Sequence, residues 1–331
     1  MDPTEYLTMK DREMEQKLRS EAKALLEQGK VDCIIGFEDG SLKFTTTPLI
    51  TGDKDDISRL VINPFIVNNL SVYLTESKGR VGIVAKGCDS RSIVSLLQDN
   101  KVAREDIVII GVPCPGIIDL RKVEQLVGKD RDEIEGITRE GDRVIITVDG
   151  NKKEFPTREV LFDNCLGCEL PTPQECDILL GEPVLPASEE DKVASQEKIN
   201  SLKDIAPEQR WEFWRNEFDR CLRCYACRNV CPACFCQRCF AEETEPQWLL
   251  PIPRGQDNLM FQVIRNIHVA GRCTDCGECE RSCPVNIPLR SLAREMYEIV
   301  EELFHYKAGM DKEAPPLLAA YEAIDPEDFI R

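Results

Sequence analysis

The stretches CLRCYACRNVCP (residues 221–232) and CTDCGECERSCP (residues 273–284) decide the architecture of the C-terminal part of the chain. Each has the spacing C-x2-C-x2-C-x3-C-P, in which three cysteines follow one another closely and a fourth precedes a proline. This spacing is typical of loops that bind [4Fe–4S] clusters, and the fourth cysteine of such a run ligates the cluster of the other run. The two stretches therefore predict two clusters held by two interleaved sets of cysteines.

The interleaving assigns each of these eight cysteines to one cluster. We predict that the first cluster is held by Cys221, Cys224, Cys227 and Cys283. We predict that the second cluster is held by Cys273, Cys276, Cys279 and Cys231. Structural zinc sites also use paired cysteines, but they rarely show three cysteines at this spacing before a C-P pair. Zinc is therefore the alternative that the spacing favours less.

Composition and charge limit where the protein works and what it binds. The chain has 331 residues, 17 cysteines and a formal net charge of -18. Its first twenty residues are too charged for a secretory signal peptide, and no apolar run reaches the roughly 18 residues of a membrane span. We therefore expect a cytoplasmic protein from an oxygen-poor host, with reduced cysteines that bind metal. The negative charge argues against nucleic-acid binding and suits docking on other proteins.

The N-terminal half contains two successive strand–turn–helix units. In the first, VGIVA (residues 81–85) precedes a turn at residues 86–89 and a helix from about residue 90 to 97. In the second, IVIIG (residues 107–111) precedes a turn at residues 113–116 and another helix. Such repetition predicts a parallel sheet covered by helices. We also predict a helix over 11–28, a strand over 31–37, a helix over 64–74 and a hairpin that turns at 149–150.

A third cysteine site is predicted where the strands of this sheet end. Cys88 and Cys114 follow the two strands, and ligands of parallel sheets collect at the carboxyl ends of the strands. Farther along the chain, Cys165 and Cys168 form a C-x2-C pair, and Cys176 follows eight residues later. We predict a third [4Fe–4S] cluster held by this pair, by Cys114 and by either Cys88 or Cys176.

The same strand ends offer a site for a flavin. A helix N-terminus favours anions such as phosphate, and a helix is predicted to begin next to the first of the two turns. If FAD is bound, we expect it near Lys86, Gly87, Ser90 and Arg91.

Four further cysteines have no assigned ligand role. Cys33 lies inside a predicted apolar strand, where a lone cysteine is most simply a core residue. The stretch ACFCQRCF supplies three more, Cys234, Cys236 and Cys239, which follow the first cysteine run closely. Their density favours a ligand role, for example in the site of Cys165 and Cys168, whereas the absence of an obvious fourth partner argues against it. Both alternatives stay open.

These elements divide the chain into two domains. Residues 1–183 are predicted to form an α/β domain with a partly parallel sheet, and residues 184–209, which are polar and acidic, a linker. Residues 210–331 are predicted to form a mainly α-helical dicluster ferredoxin domain, with helices over about 257–271 and 289–304.

The N-terminal part resembles the coenzyme F420 hydrogenase/dehydrogenase β-subunit family. The resemblance covers about residues 29–181 and rests on GKVDCIIGF, VGIVAKGCDSRSIVSLLQ, IGVPC and CLGCELPTPQECDILLGE. The family positions are Cys88, Cys114, Cys165, Cys168, Asp177 and Gly181. The C-terminal part is similar to the helical dicluster ferredoxin domain of heterodisulfide reductase C-type subunits and of the iron–sulfur subunits of fumarate reductases.

The resemblance implies an electron-transfer subunit of a cytoplasmic anaerobic oxidoreductase complex of the hydrogenase, formate dehydrogenase or heterodisulfide reductase type. Such a subunit holds [4Fe–4S] clusters, often binds FAD, and has catalytic and redox protein subunits as partners. We therefore expect a relay that passes electrons through [4Fe–4S] clusters. The alternative is an FAD-containing reductase that oxidises a reduced deazaflavin or NAD(P)H.

Overall fold

The computed structural model describes residues 9–317, in which the strands and helices alternate through the first half and helices dominate the second. The strands are β1 (Cys33–Asp39), β2 (Thr46–Thr51), β3 (Val81–Ala85), β4 (Ile107–Gly111), β5 (Ile134–Glu140), β6 (Arg143–Val148), β7 (Asn151–Pro156) and β8 (Ile178–Leu179). The helices up to the middle of the chain are α1 (Met9–Glu27), α2 (Gly87–Gln98), α3 (Leu120–Val127), α4 (Thr157–Val160), α5 (Asp163–Leu166) and α6 (Glu189–Lys203). The later helices are α7 (Pro207–Asp219), α8 (Ala226–Asn229), α9 (Gly255–His268), α10 (Glu278–Arg281) and α11 (Leu289–Phe304).

A five-stranded sheet with the order β2-β1-β3-β4-β8 organises the first half. β1, β3, β4 and β8 run parallel, and β2 pairs antiparallel to β1 at one edge. Every residue of β3 is buried, as expected of a strand covered on both faces by helices and loops. The structure therefore confirms the predicted fold class, an α/β part with a partly parallel sheet followed by a mainly helical part.

A second, three-stranded antiparallel sheet, β5-β6-β7, follows α3. β6 and β7 form the predicted hairpin, and Asp149 and Gly150 at its turn both have positive φ, of 51° and 72°. Positive φ at both central residues suits the right-handed twist of the paired strands. The buried side chains of this sheet pack against α3 and α4 in a small core of their own.

The helix predicted over residues 64–74 is wrong. Only Leu70–Thr75 is helical there, and it is a short 3-10 helix. The side chains of Asn63 and Asn69 accept hydrogen bonds from the backbone amides of Phe65 and Ser71. Asparagine side chains that bond locally in this way favour turns over a continuous α-helix.

The second half is held together by aromatic and cysteine side chains. Trp214 and Phe218 of α7 stack with ring centroids 5.4 Å apart, and Phe261 of α9 is buried in the same core. Cys221, Cys227 and Cys283 belong to this core as well. The segment predicted as a linker contains α6, a helix that the polar sequence did not lead us to expect.

Several arginines join the two halves. Arg272 forms a two-pronged ion pair with Asp99 at the end of α2, with N···O distances of 2.7 and 2.8 Å. Arg91 of α2 donates to the carbonyl oxygens of Ala308 and Thr274. These contacts fix the cysteine loops of the second half against the carboxyl ends of β3 and β4. Within residues 9–317, no helix is long and apolar enough to cross a membrane.

Candidate iron–sulfur centres

The two cysteine runs fold into loops of the same shape. In the first loop, Arg223 and Tyr225 have positive φ values of 49° and 61°. In the second, Asp275 and Gly277 have positive φ values of 53° and 73° at the same offsets from the first cysteine of the run. A one-turn helix follows each pair, α8 in the first loop and α10 in the second. The repeated left-handed positions turn both chains in the same way, so three cysteines of each loop face one centre.

The first cysteine cavity contains the set predicted for the first cluster. It encloses about 310 Å³ and its cysteines are Cys221, Cys224, Cys227 and Cys283. Three of these are buried, whereas Cys224 is exposed. Cys283 comes from the second run, as the interleaved assignment requires.

The second cysteine cavity contains the set predicted for the second cluster. It encloses about 470 Å³ and its cysteines are Cys231, Cys273, Cys276 and Cys279. Here Cys231 comes from the first run and the other three from the second. The structure thus brings together both predicted sets, each with three cysteines from one loop and one from the other.

Backbone amides point at the sulfur atoms of these cysteines. The amides of Arg223 and Ile287 lie 3.4 Å from the Sγ atoms of Cys221 and Cys283. The amides of Asp275 and Glu278 donate in the same way to the thiols of Cys273 and Cys276. Hydrogen bonds to ligand sulfurs are what stabilises the negative charge of a cysteine-ligated cluster. Four thiols and converging amides in each cavity therefore fit a [4Fe–4S] cube.

The third cysteine cavity lies where the two halves meet, beyond the carboxyl ends of β3 and β4. It encloses about 710 Å³. Its cysteines from the first half are Cys88, Cys114, Cys165 and Cys168. Of the two alternatives for the fourth ligand, the structure places Cys88 in this cavity, whereas Cys176 packs beside Gly111 of β4. The amides of Gly116 and Leu170 donate to the thiols of Cys114 and Cys168, so this donor set also fits a cube.

Burial raises the pKa of the candidate ligands. The pKa is raised to about 11 for Cys114 and Cys276, and to about 12 for Cys168 and Cys273. Nearby cations act in the opposite direction, since Arg281 lowers the pKa of Cys276 and Lys86 lowers that of Cys114. Metal ligation requires the thiolate, so cluster assembly at these cysteines would release protons.

The residues predicted to hold a flavin phosphate are all engaged within the chain. Lys86 is 2% exposed and its Nζ lies 2.9 Å from the Asp89 carboxylate. Ser90 donates to the carbonyl oxygen of Glu175, and Arg91 makes the contacts with the second half described above. The backbone of Leu170 covers Gly87, at the N-terminus of α2. A flavin at this helix terminus stays a prediction.

Replacing Lys86 by methionine is expected to lower the free energy of unfolding by about 3 kcal/mol or more, because it leaves the fully buried Asp89 carboxylate without its cation. Anaerobic denaturant unfolding would measure this loss. The double variant Lys86→Met/Asp89→Asn is the control, since it removes the uncompensated charge and should recover part of the stability. A single variant as stable as the parent would contradict the structural role of this pair.

A fourth cavity lies on the other side of the turn that carries Cys114. It encloses about 780 Å³ and shares Cys114, Gly116 and Ile117 with the third cysteine cavity. Arg139 of β5 lines it and donates to the carbonyl oxygens of Pro115 and Gly116. No sequence pattern indicates this cavity, because Arg139 lies in a strand whose residues show only a hairpin.

The remaining cysteines lie outside these four cavities. Cys234 is hydrogen-bonded to the thiol of Cys231, Cys239 lies beside Arg228, and Cys236 is exposed. Cys33 packs against the main core, where it was predicted. Among residues 9–317, no group of three or more His, Cys, Asp or Glu side chains is arranged to hold a single metal ion.

Comparison with known proteins gives two family matches. Residues 78–202 match the family model that describes the C terminus of the beta subunit of coenzyme F420 hydrogenase/dehydrogenase. Residues 217–287 match the model of a 4Fe-4S dicluster domain. The second match spans both cysteine runs, and the first spans all the cysteines of the third cavity that come from the first half.

Curated relatives match along most of the chain. The F420-dependent formate dehydrogenase subunit beta of Methanocaldococcus jannaschii is 25% identical, over 89% of this chain and 92% of the relative. The F420-dependent formate dehydrogenase 1 subunit beta of Methanococcus maripaludis is 24% identical, over 89% of this chain and 91% of the relative. A chain of the F420-reducing [NiFe] hydrogenase complex from Methanosarcina barkeri aligns with a TM-score of 0.41 and 14% identity, over 64% of this chain and 92% of that chain.

The two family matches confirm the resemblance predicted from the sequence. The chain is an iron–sulfur protein in which a domain of the coenzyme F420 hydrogenase/dehydrogenase β-subunit family, at residues 78–202, precedes a 4Fe-4S dicluster domain at residues 217–287.

Proposed function

We propose that this protein is a cytoplasmic electron-transfer subunit of an anaerobic oxidoreductase complex and relays electrons through three [4Fe–4S] clusters. The observation that carries the proposal is the continuity of the second and third cysteine cavities. Thr274, Asp275 and Cys276 line both of them. A predicted ligand of the second cluster therefore also borders the site of the third, which supports direct electron transfer between the two halves of the chain.

The order of the cavities supports a direction for the relay. The first cysteine cavity reaches the surface at the exposed Cys224, whereas the third lies inside the junction of the two halves. Bound clusters would supply one-electron storage and transfer. The protein would supply position, hydrogen bonds to sulfur, and an aromatic core that excludes water from the first cavity. We propose that a partner subunit docks near Cys224 and that electrons enter or leave there.

The names of the relatives support a more specific assignment. Both are β subunits of formate dehydrogenases that depend on F420. We propose that this chain likewise works beside a catalytic subunit and exchanges electrons with a deazaflavin at the end of the relay that lies in the first half.

A second candidate function is favoured by the fourth cavity. Its volume of about 780 Å³ lies within the range of cofactor sites, and only the turn at Cys114 separates it from the third cysteine cavity. A bound FAD there would make the chain a reductase that oxidises a reduced deazaflavin or NAD(P)H by itself. Arg139 would hold the wall of that site through the Pro115 and Gly116 carbonyl groups.

Anaerobic purification separates the candidates. The relay requires about twelve irons and twelve acid-labile sulfides per chain, at four of each per cube. Acid release of FAD, with deazaflavin or NAD(P)H oxidation by the isolated chain, would support the reductase. Clusters without FAD, reduced only when the catalytic partner is present, would support the relay. Colourless protein with stoichiometric zinc would overturn both.

A further inference from the structure

Helix α9 presents a buried polar face to the first cysteine loop. Asn258, Gln262 and Arg265, at positions i, i+4 and i+7, are 1%, 1% and 4% exposed. They lie in a core that otherwise consists of aromatic, aliphatic and cysteine side chains. Burying amides and a guanidinium is costly unless they have specific partners. The partners of these three side chains therefore indicate what the polar face is for.

Two of them contact the cysteines of the first cavity. Asn258 donates to the carbonyl oxygens of Phe218 and Cys221, at 3.0 and 2.8 Å. Gln262 directs its Nε2 at two sulfur atoms, 3.7 Å from Cys221 Sγ and 3.9 Å from Cys227 Sγ. Asn258 thus fixes the backbone of the loop, whereas Gln262 reaches the predicted ligand atoms of the first cluster.

Arg265 lies between the first and the second set of cysteines. Its Nη2 donates to the carbonyl oxygen of Cys227 at 2.9 Å. Its Nε and Nη1 are buried without a hydrogen-bond partner, and among the described residues no carboxylate forms an ion pair with it. The groups that act electrostatically on the guanidinium are cysteines of both sets and one neighbour: Cys227, Cys231, Cys234 and Cys279.

We propose that Arg265 is a shared tuning residue, whose fixed positive charge raises the reduction potentials of both clusters of the dicluster domain, and that Gln262 tunes the first cluster alone. The inference rests on the proposed function, since it requires the two clusters. A cluster becomes more negative on reduction, so an unpaired cation in a poorly polarisable core favours its reduced state. Because one charge serves both centres, it shifts both potentials in the same direction and limits the difference between them.

Anaerobic redox titrations of the full chain, monitored by EPR, would test this. The reduction steps are assigned with Cys224→Ala and Cys276→Ala, each of which should lack one cluster of the dicluster domain. In Arg265→Met, both steps should move to lower potential by at least a tenfold change in the reduction equilibrium, which is about 59 mV for a one-electron couple. In Gln262→Leu, only the first cluster's step should move to lower potential.

Two variants separate charge from structure. Arg265→Lys keeps the charge and should keep both potentials near those of the parent, even if packing suffers. Arg210→Met removes a cation that pairs with Glu295 and lines none of the four cavities, so both potentials should stay unchanged. If Arg265→Met does not assemble clusters, Arg265→Gln takes its place, because it keeps N–H donors without the charge.

The outcomes distinguish the inference from the function on which it rests. Full iron content with unchanged potentials in the Arg265 variants lacking charge would overturn the inference and leave the relay intact. A shift of equal size in Arg265→Lys would show that packing, not charge, sets the potentials, and would also overturn it. A parent protein without iron would overturn both.

Discussion

Replacing Cys276 by alanine is expected to reduce the bound iron from about twelve to about eight atoms per chain, through the loss of one cube. Cys276 lies among the four cysteines of the second cavity, and a three-cysteine site lacks one corner ligand. The residue also borders the third cavity, and its carbonyl oxygen accepts a hydrogen bond of 3.1 Å from Asn164 in the first half. We therefore expect lower stability of the C-terminal half and a relay interrupted at its middle.

Iron and sulfide analysis of anaerobically purified protein would measure this loss. Cys33→Ala is the matched control, because it removes the same side-chain atoms from a cysteine that packs in the main core on β1. That variant should keep all its iron. Unchanged iron in Cys276→Ala would contradict the interleaved assignment, and iron loss in Cys33→Ala would show that Cys33 is not merely a core residue.

The two cysteine sets of the second half could be predicted because their geometry is local. Three ligands of each set come from one loop, so the spacing alone brings them together. The left-handed residues that shape the loops, such as Tyr225 and Gly277, stand at equal offsets in the two runs. Only the exchange of the fourth cysteine required knowledge of how such runs pair.

The third site could be predicted only in part, because its members come from distant segments. The strand pattern placed Cys88 and Cys114 at one edge of the sheet, as the structure shows. The choice between Cys88 and Cys176 depended on the path of the chain after Cys168, which no local pattern indicates. The part played by Cys276 at this cavity depends on the packing of the two halves and was not foreseen.

The polar face of α9 carried a signal in the sequence that we did not use. Asn258, Gln262 and Arg265 have helical spacing, so they had to share one face of the predicted helix. What the spacing cannot show is whether that face points to water or to the core. The helix predicted over 64–74 failed for a related reason: its apolar residues suggested a helix, whereas side-chain bonds from Asn63 and Asn69 form turns.

Replacing Gly87 by alanine is expected to disrupt the third site while sparing the other two. A Cβ atom on Gly87 would stand 1.7 Å from the carbonyl oxygen of Leu170 and 2.8 Å from its carbonyl carbon, so the backbone of that segment has to move. The displaced segment supports two candidate ligands. The amide of Leu170 donates to the thiol of Cys168, and the amide of Cys114 donates to the carbonyl oxygen of Pro171 at 2.8 Å.

We therefore expect Gly87→Ala to lose about four irons, with the EPR signals of the dicluster domain retained, and to be less stable by about 1–3 kcal/mol from overpacking. Gly136→Ala is the control, since a Cβ there meets only the Thr147 side chain, at 3.8 Å or more. Full iron content in Gly87→Ala would show that the segment at Leu170 does not position cluster ligands. Loss of all iron would show instead that the three sites assemble together, because the close fit of this segment on α2 would then govern the whole junction.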